Sequence, residues 1–521
     1  MLSQASNDLN SELIIGIVSA VGADKTQVIQ LLRERLYSAG YDVRVVKVSS
    51  EVIPLFGTIP AHGNDNHKKI SDLMDAGNRA REQTGDDSIL ALGVATQIVA
   101  IRPKDENDVS LPFAKTAVIV DSLKRPEEVE KLRSVYPAGF ILVGVHEEVS
   151  RRLRHLIQDQ GLTEDKAEQL IRRDAEESKV KHGQRVNKTF HLADFFVRVS
   201  DSHDHLRGDI KRMVELWFGN PHLTPTFDEY AMFFAFAAAL RSADLSRQVG
   251  AVVTKNDQIL STGANDCPKA GGGLYWPVRS PTDGCIGDIP NGRDCTREDG
   301  DSNRAEQVRI IEQIVSDGSK PEYALDAEKL RALLGKSVIR DLTEYGRVVH
   351  AEMEALLSCS RNGLSTVGTT LYCTTFPCHN CAKHIIAAGV LRVVYVEPYP
   401  KSKALQFHDD SIAKDEEAGQ ERKVKFEPFV GIGPRRFFDL FSMQLGSSYP
   451  LVRKEDTTGK PKSWHIKTAQ LRIQMHPTSY LELEEEAVKA FGKHENTLKG
   501  KELQHGLEDA SSADRPGDQA R

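Results

Sequence analysis

The sequence predicts an α/β protein of two domains followed by a polar tail, on three observations. From Glu12 onward, apolar β-branched runs alternate with charged amphipathic segments, the pattern of a parallel sheet covered on both faces. A second series of helices and strands starts near Glu229, after the proline-bearing stretch PHLTPTFD, which reads as a linker. The chain, at 521 residues, also exceeds the roughly 250–300 at which one hydrophobic core stops growing.

In the first domain, 12–217, Leu13 to Val18 reads as a strand, Lys25 to Ala39 as a helix and Asp42 to Val48 as a β-branched strand. Further strands are expected at Ser88 to Leu92, Ala117 to Asp121 and Phe140 to Val145. The second domain, 228–492, opens with a helix from Glu229 to Leu245. A strand pair follows, Gly250 to Thr254 and Ile259 to Gly263, turning at 255–258. A long insertion rich in Gly and Pro runs to about Tyr345. Then come a helix from Val349 to Cys359, a strand from Thr370 to Thr374, a helix from His379 to Ala388 and a strand from Arg392 to Val396. From 493 to 521 almost no large apolar residue remains, so this tail is expected to be disordered.

Composition excludes several classes. With 40% hydrophobic and 27% charged residues the chain is an ordinary globular protein, and its net charge of -7 argues against a nucleic-acid-coating surface. No run approaches the roughly 18 apolar residues of a membrane span. The first residues, MLSQASNDLNSE, lack the pattern of a secretory signal. Seven cysteines with one C-x-x-C pair suit a reducing compartment and a metal site, so a cytoplasmic location is expected.

The chemistry concentrates in two short motifs. His350-Ala351-Glu352 is followed by Pro377-Cys378-His379-Asn380-Cys381, each at the start of an expected helix. A catalytic zinc takes three protein ligands and leaves a fourth position to water, and one imidazole with two thiolates supplies them. Cys378 and Cys381, three apart, share a helix face, and helix N-termini favour the thiolate form. Glu352 is spaced to reach the water and not the ion. This H-x-E and P-C-x-x-C pair is the signature of zinc nucleobase deaminases. A closed structural zinc would need a fourth ligand, and the nearest candidates, Cys373 and His379, are expected to face away. Cys359 and Cys373 read as core cysteines.

On these residues the stretch from Glu229 to Glu397 resembles the cytidine and deoxycytidylate deaminase superfamily. Gly250-Ala251-Val252-Val253 with Thr262-Gly263-Ala264-Asn265 is similar to its deoxycytidylate branch. The resemblance implies one catalytic Zn2+ per chain, a helix-flanked sheet, and Asn265 at the sugar. It also departs from the branch: Glu354 stands where many members carry Asn, which removes a usual substrate contact. Tyr399, Lys401 and Lys403 follow the last strand and are candidates to stack on a base or hold phosphates; a solvated charged turn is the other reading. Gly431 to Phe438 carries the same ambiguity. Cys267, Cys285 and Cys295 lie in the insertion, read as a nucleotide-enclosing or oligomer-contacting loop, with a second metal the lesser alternative.

In the first domain, Gly16 to Thr26 follows a strand and opens a helix, the setting of a phosphate-binding loop. Gly22, Lys25 and Thr26 are the candidate nucleotide-binding residues, but Ser19 and Asp24 stand where the loop's glycines belong, and Asp24 sets a negative charge at the anion seat. With Val120-Asp121-Ser122, Arg125-Pro126 and Arg172-Arg173-Asp174, this region resembles P-loop nucleotide kinases. The degraded loop favours a retired, regulatory kinase fold over an active one, with nucleotide binding there left open. The two-domain pairing resembles the bacterial antiphage cytidine-nucleotide deaminases. That resemblance implies deamination of dCTP and dCMP, depletion of the cytosine deoxynucleotide pool during infection, restraint by a small RNA or protein inhibitor, and nucleotide-sensitive homo-oligomers. The competing functions are a housekeeping dCMP deaminase for thymidylate supply and a cytosine or adenosine editing deaminase of nucleic acids. The large extra domain argues against the first. The acidic chain, without a basic groove, argues against the second.

Overall fold

The computed structural model describes residues 12–58, 63, 65–177, 180–298, 300–342, 344–397, 402–414, 422–446, 449–473 and 480–494. The chain divides into two compact units, one of residues 1–226 with 430–521 and the other of Phe227–Phe429.

The first unit is built on a six-stranded sheet. Its order is Gly431–Ile432, Phe195–Val199, Phe140–Glu147, Leu13–Ser19, Thr116–Asp121 and Asp42–Lys47. The last five pair in parallel, and Gly431–Ile432 adds antiparallel at the edge. Leu13–Ser19 lies inside the sheet with every residue buried, which is why it reads as continuous apolar sequence. Helix Lys25–Ser38 follows it directly, buries Val28, Leu31, Leu32 and Leu36, and is capped by the Asp24 side chain.

Two expectations are corrected here. Ser88 to Leu92 is not a strand: it starts the helix Ile89–Ala100, eight of whose residues are buried. An apolar run that is buried on all sides has no telling period, and only its length of 12 residues separates a buried helix from a strand. The expected second boundary near 492 also differs from the observed division. After Phe429 the chain belongs to the first unit, where Arg436 donates to the Phe140 carbonyl at 2.8 Å and Trp464 Nε1 donates to the Phe218 carbonyl at 3.1 Å. The strand Phe195–Val199, which completes this sheet, was not among the expected strands.

The second unit carries a six-stranded mixed sheet in the order Ile412–Lys414, Val424–Pro428, Arg392–Tyr395, Thr370–Cys373, Gly250–Lys255, Gln258–Ala264. Gly250–Lys255 pairs antiparallel with both its neighbours, and the remaining pairs are parallel. Helix Ala351–Arg361 lies so close on Gln258–Ala264 that a Cβ on Gly263 would stand 2.1 Å from the Ala351 carbonyl oxygen. Only glycine permits that approach, and the approach sets the height at which the start of the helix meets the sheet. The insertion is more ordered than its glycine content suggests, holding helices Ser302–Gly318 and Ala327–Leu334. Among the described residues no helix is long and apolar enough to cross a membrane.

Candidate zinc centre

His350 is the N-cap of helix Ala351–Arg361, and Cys378 is the N-cap of helix His379–Ala387. The two helix starts face one cavity of about 260 Å3, and both N-caps line it. His350 Nδ1 lies 3.3 Å from Cys378 Sγ and 3.4 Å from Cys381 Sγ. The three donor atoms lie within 4.8 Å of one another, and among the described residues no fourth His, Cys, Asp or Glu joins them. The Cys381 backbone N–H donates to Cys378 Sγ at 3.4 Å. The Cys378 thiol is pulled down to about 3, first by its contact with the Cys381 thiol, against burial, and then by His350. One imidazole and two cysteine sulfurs are a donor set that suits zinc, with three ligands and room for a fourth.

Glu352, only 4% exposed, lines the same cavity two residues after the histidine. Burial raises its carboxyl above the ordinary carboxylate range, and the charge of Cys378 adds to the effect. Around it the cavity wall combines the loop at Asp244–Val249, the turn at Thr375 and Phe376, and Asp301 and Asn303 from the insertion. The turn is held from behind by Glu397, whose carboxylate accepts from the Phe376 backbone N–H at 3.1 Å.

The other expected site residues divide. Asn265 lines the cavity, but its side chain is occupied with the loop: Oδ1 accepts from the Val249 N–H at 2.6 Å and Nδ2 donates to the Arg247 carbonyl at 2.8 Å. Its evident work is to hold Asp244–Val249 against the cavity. Glu354 is buried and turned to Arg361, in an ion pair on its own helix, and does not line the cavity. His379, expected to face away, lines the cavity as the first residue of its helix, although it is outside the three-donor group. Cys359 and Cys373 are buried in the core of this unit. Tyr399 and Lys401 lie outside the described residues. Sequence reasoning missed Arg247, which is the one Lys or Arg among the described lining residues. Its place beside Val249, at the mouth of the first strand of the motif, was the available signal.

Residues 225–397 match the family model described as the cytidine and deoxycytidylate deaminase zinc-binding region. The deoxycytidylate deaminase of Enterobacteria phage T4 is 34% identical over 171 residues, which are 32% of this chain and 77% of that protein. That of Mycobacterium phage D29 is 32% identical over 171 residues, 33% of this chain and 94% of its own. The chain belongs to the cytidine and deoxycytidylate deaminase family. The residues matched by the family model, 225–397, fall almost wholly within the second unit, Phe227–Phe429. A solved dCMP deaminase of cyanophage S-TIM5, in complex with dCMP and dUMP, aligns at 22% identity over 40% of this deaminase and all of its own chain, with a TM-score of 0.22, too low to carry an argument.

In the first unit the expected phosphate loop is filled from within. The Val21 N–H donates to Asp174 at 2.9 Å and the Asp24 N–H to Glu147 at 2.7 Å. Asp24 Oδ1 accepts from the Thr26 and Gln27 N–H groups at 3.1 and 3.3 Å, and Lys25 Nζ is paired with Asp121. Gly22 takes the left-handed conformation of the turn, at φ 83°. Carboxylates thus hold the Val21, Asp24, Thr26 and Gln27 N–H groups and the Lys25 ammonium of this loop.

Proposed function

We propose that this protein deaminates free deoxycytidine nucleotides, dCMP and dCTP, to the corresponding deoxyuridine nucleotides by hydrolysis. The observation that supports this best is the meeting of His350, Cys378, Cys381 and buried Glu352 at one cavity of the deaminase unit. His350, Cys378 and Cys381 would hold zinc, which when bound supplies Lewis-acid activation of water near neutral pH. Glu352 takes a proton from the attacking water and delivers it to ring N3. It then carries a proton to the amino group, which leaves C4 as ammonia. Asn265 positions the loop that carries Arg247, and Arg247 is placed to meet a phosphate. Asp301 and Asn303, from the insertion, line the same cavity beside Arg247.

The choice of a free nucleotide over a polynucleotide rests on the single Lys or Arg, Arg247, among the described lining residues and on the net charge of -7. A strand binder neutralises many phosphates and shows a steep salt dependence, whereas a mononucleotide needs few basic groups. Assayed side by side at equal cytosine concentration and at two salt concentrations, dCMP and dCTP are expected to yield uracil products while a cytosine-containing single-stranded oligonucleotide yields none. Comparable uracil in the oligonucleotide would overturn the assignment.

The first unit, on this reading, is a P-loop kinase fold that no longer transfers phosphate, because Asp24, Asp121, Glu147 and Asp174 hold the loop's donors. Incubated with ATP and each deoxynucleoside monophosphate, the purified protein is expected to form no diphosphate; robust transfer would refute the reading. The pairing of this unit with a deaminase supports a role in antiphage defence, in which the cytosine deoxynucleotide pool is depleted. The same resemblance supports a cytoplasmic homo-oligomer restrained by a small RNA or protein inhibitor.

A further inference from the structure

Asp244, Asp294 and Asp301 stand in the wall of the deaminase cavity beside one lining arginine, Arg247. A nucleotide brings further negative charge into the same space, and like charges repel more strongly where little water screens them. The structure treats the three carboxylates differently. Asp244 Oδ1 accepts from the Ser246 and Arg247 N–H groups at 2.9 and 3.0 Å. Asp301 Oδ1 accepts from the Asn303 and Arg304 N–H groups at 2.9 and 3.1 Å. Asp294 is met by a full cation, with Arg347 Nη1 donating to its Oδ1 at 2.7 Å.

Arg347 stands between Gly346 and Val348, which line the cavity, and is not itself among the described lining residues. Its Nη2 donates to the Gly292 carbonyl at 3.0 Å, so one guanidinium grips the turn 292–294 at both ends. The Cys267 thiol donates to the same Asp294 oxygen at 3.4 Å. Burial pushes that thiol up to about 11, so it keeps its proton at neutral pH. Asp294 is buried, and its charge depends on these partners more than on water. The zinc donors and Glu352 are held separately, at the starts of helices Ala351–Arg361 and His379–Ala387. Val349, just before His350, exchanges two backbone hydrogen bonds with Asp266, at 3.0 and 3.2 Å. Loss of the Arg347 side chain therefore leaves the reacting groups their own supports and strands one negative charge in the wall.

We infer that Arg347, acting through Asp294, is a positioning residue of the deaminase cavity, and that by neutralising this carboxylate it lets the cavity admit a nucleotide anion. The inference rests on the deaminase reading above and adds to it a residue behind the cavity wall. It assigns Arg347 to substrate binding and not to proton transfer or metal retention.

Steady-state kinetics with dCMP on the full chain test this, beside metal analysis and circular dichroism. Arg347→Met removes the cation and keeps most of the stem. It is expected to raise KM about tenfold, with kcat within about threefold of the parent and zinc retained, the pattern of lost binding. Adding Asp294→Asn removes the stranded charge and is expected to bring KM back to within about threefold of the parent, a non-additivity that contacting pairs show. A merely structural role predicts the reverse, a double variant no better than the single one. Should Arg347→Met fail to fold, Arg347→Gln keeps a donor for Asp294 without the charge, and the same KM rise and the same rescue are expected. With an active parent, the inference alone is overturned if the folded Arg347 variant keeps its KM or loses its zinc, or if the double variant shows no recovery. A parent that deaminates no deoxycytidine nucleotide overturns the deaminase reading and the inference with it.

Discussion

Glu352→Ala is expected to lower uracil nucleotide formation by about 10²–10⁴-fold, the contribution of a positioned general acid and base, while zinc stays bound. The separation follows from the geometry. His350, Cys378 and Cys381 form the three-donor group, and Glu352 stands outside it on the wall of the same cavity. Removing the carboxylate takes away the group that moves protons and leaves the donors in place. Cys378→Ala should do the opposite, losing metal and activity together, because two donors grip a dication poorly. Metal analysis beside the rate assay checks both. A Glu352→Ala protein that turns over within tenfold of the parent, or that purifies without zinc, would show the roles to be assigned wrongly.

Arg102→Ala should destabilise the first unit by about 3–5 kcal/mol at neutral pH, the cost of stranding buried charges. The Arg102 guanidinium is buried between two carboxylates far apart in sequence, donating to Glu12 at 2.6 and 2.8 Å and to Glu484 at 2.6 and 2.7 Å. It thus ties the first strand to the segment 480–494, and its cation lies over the rings of Phe113 and Tyr480. Burial already holds the Glu484 carboxyl above its ordinary value. Without the arginine the buried Glu484 carboxylate loses its cation, so its folded value rises further above the unfolded one. A carboxyl raised in the folded state favours folding below its unfolded value and loses that advantage as pH rises through the folded value. The deficit of Arg102→Ala should therefore be smallest near pH 4.5 and grow toward pH 8, as read from urea midpoints of the two proteins. An unchanged midpoint at pH 8 would show that the cluster does not hold this unit together. Combining Arg102→Ala with Glu12→Leu and Glu484→Leu should recover most of the loss, since apolar residues replace a buried ionic cluster at little net cost.

The contrast between the two units shows where local sequence is sufficient. The order His350, Glu352, Cys378, Cys381 was legible because each motif sits at a helix start, and a helix start sets spacing and direction over three or four residues without help from the rest of the chain. The same holds for Leu13–Ser19 followed by Lys25–Ser38, and for the hairpin Gly250–Lys255 with Gln258–Ala264, where period and turn residues are local. Three matters were decided only in three dimensions. Ile89–Ala100 is a helix eight of whose twelve residues the first unit buries, and its largely apolar run shows no telling period. The segment after Phe429 returns to the first unit because its partners, Phe195, Phe140 and Arg102, lie hundreds of residues earlier. Asn265 bonds to the loop at Arg247–Val249, and Asp174 and Glu147 accept from the Val21 and Asp24 N–H groups, because a polar atom takes the nearest partner the fold presents. By itself, then, the sequence marked His350, Glu352, Cys378 and Cys381 as one pair of helix-start motifs and indicated the α/β class, all of which depend on residues close along the chain. The tertiary structure decided which core each segment buries and which polar groups remain open to a ligand, because burial and hydrogen-bond satisfaction depend on contacts that no local period records.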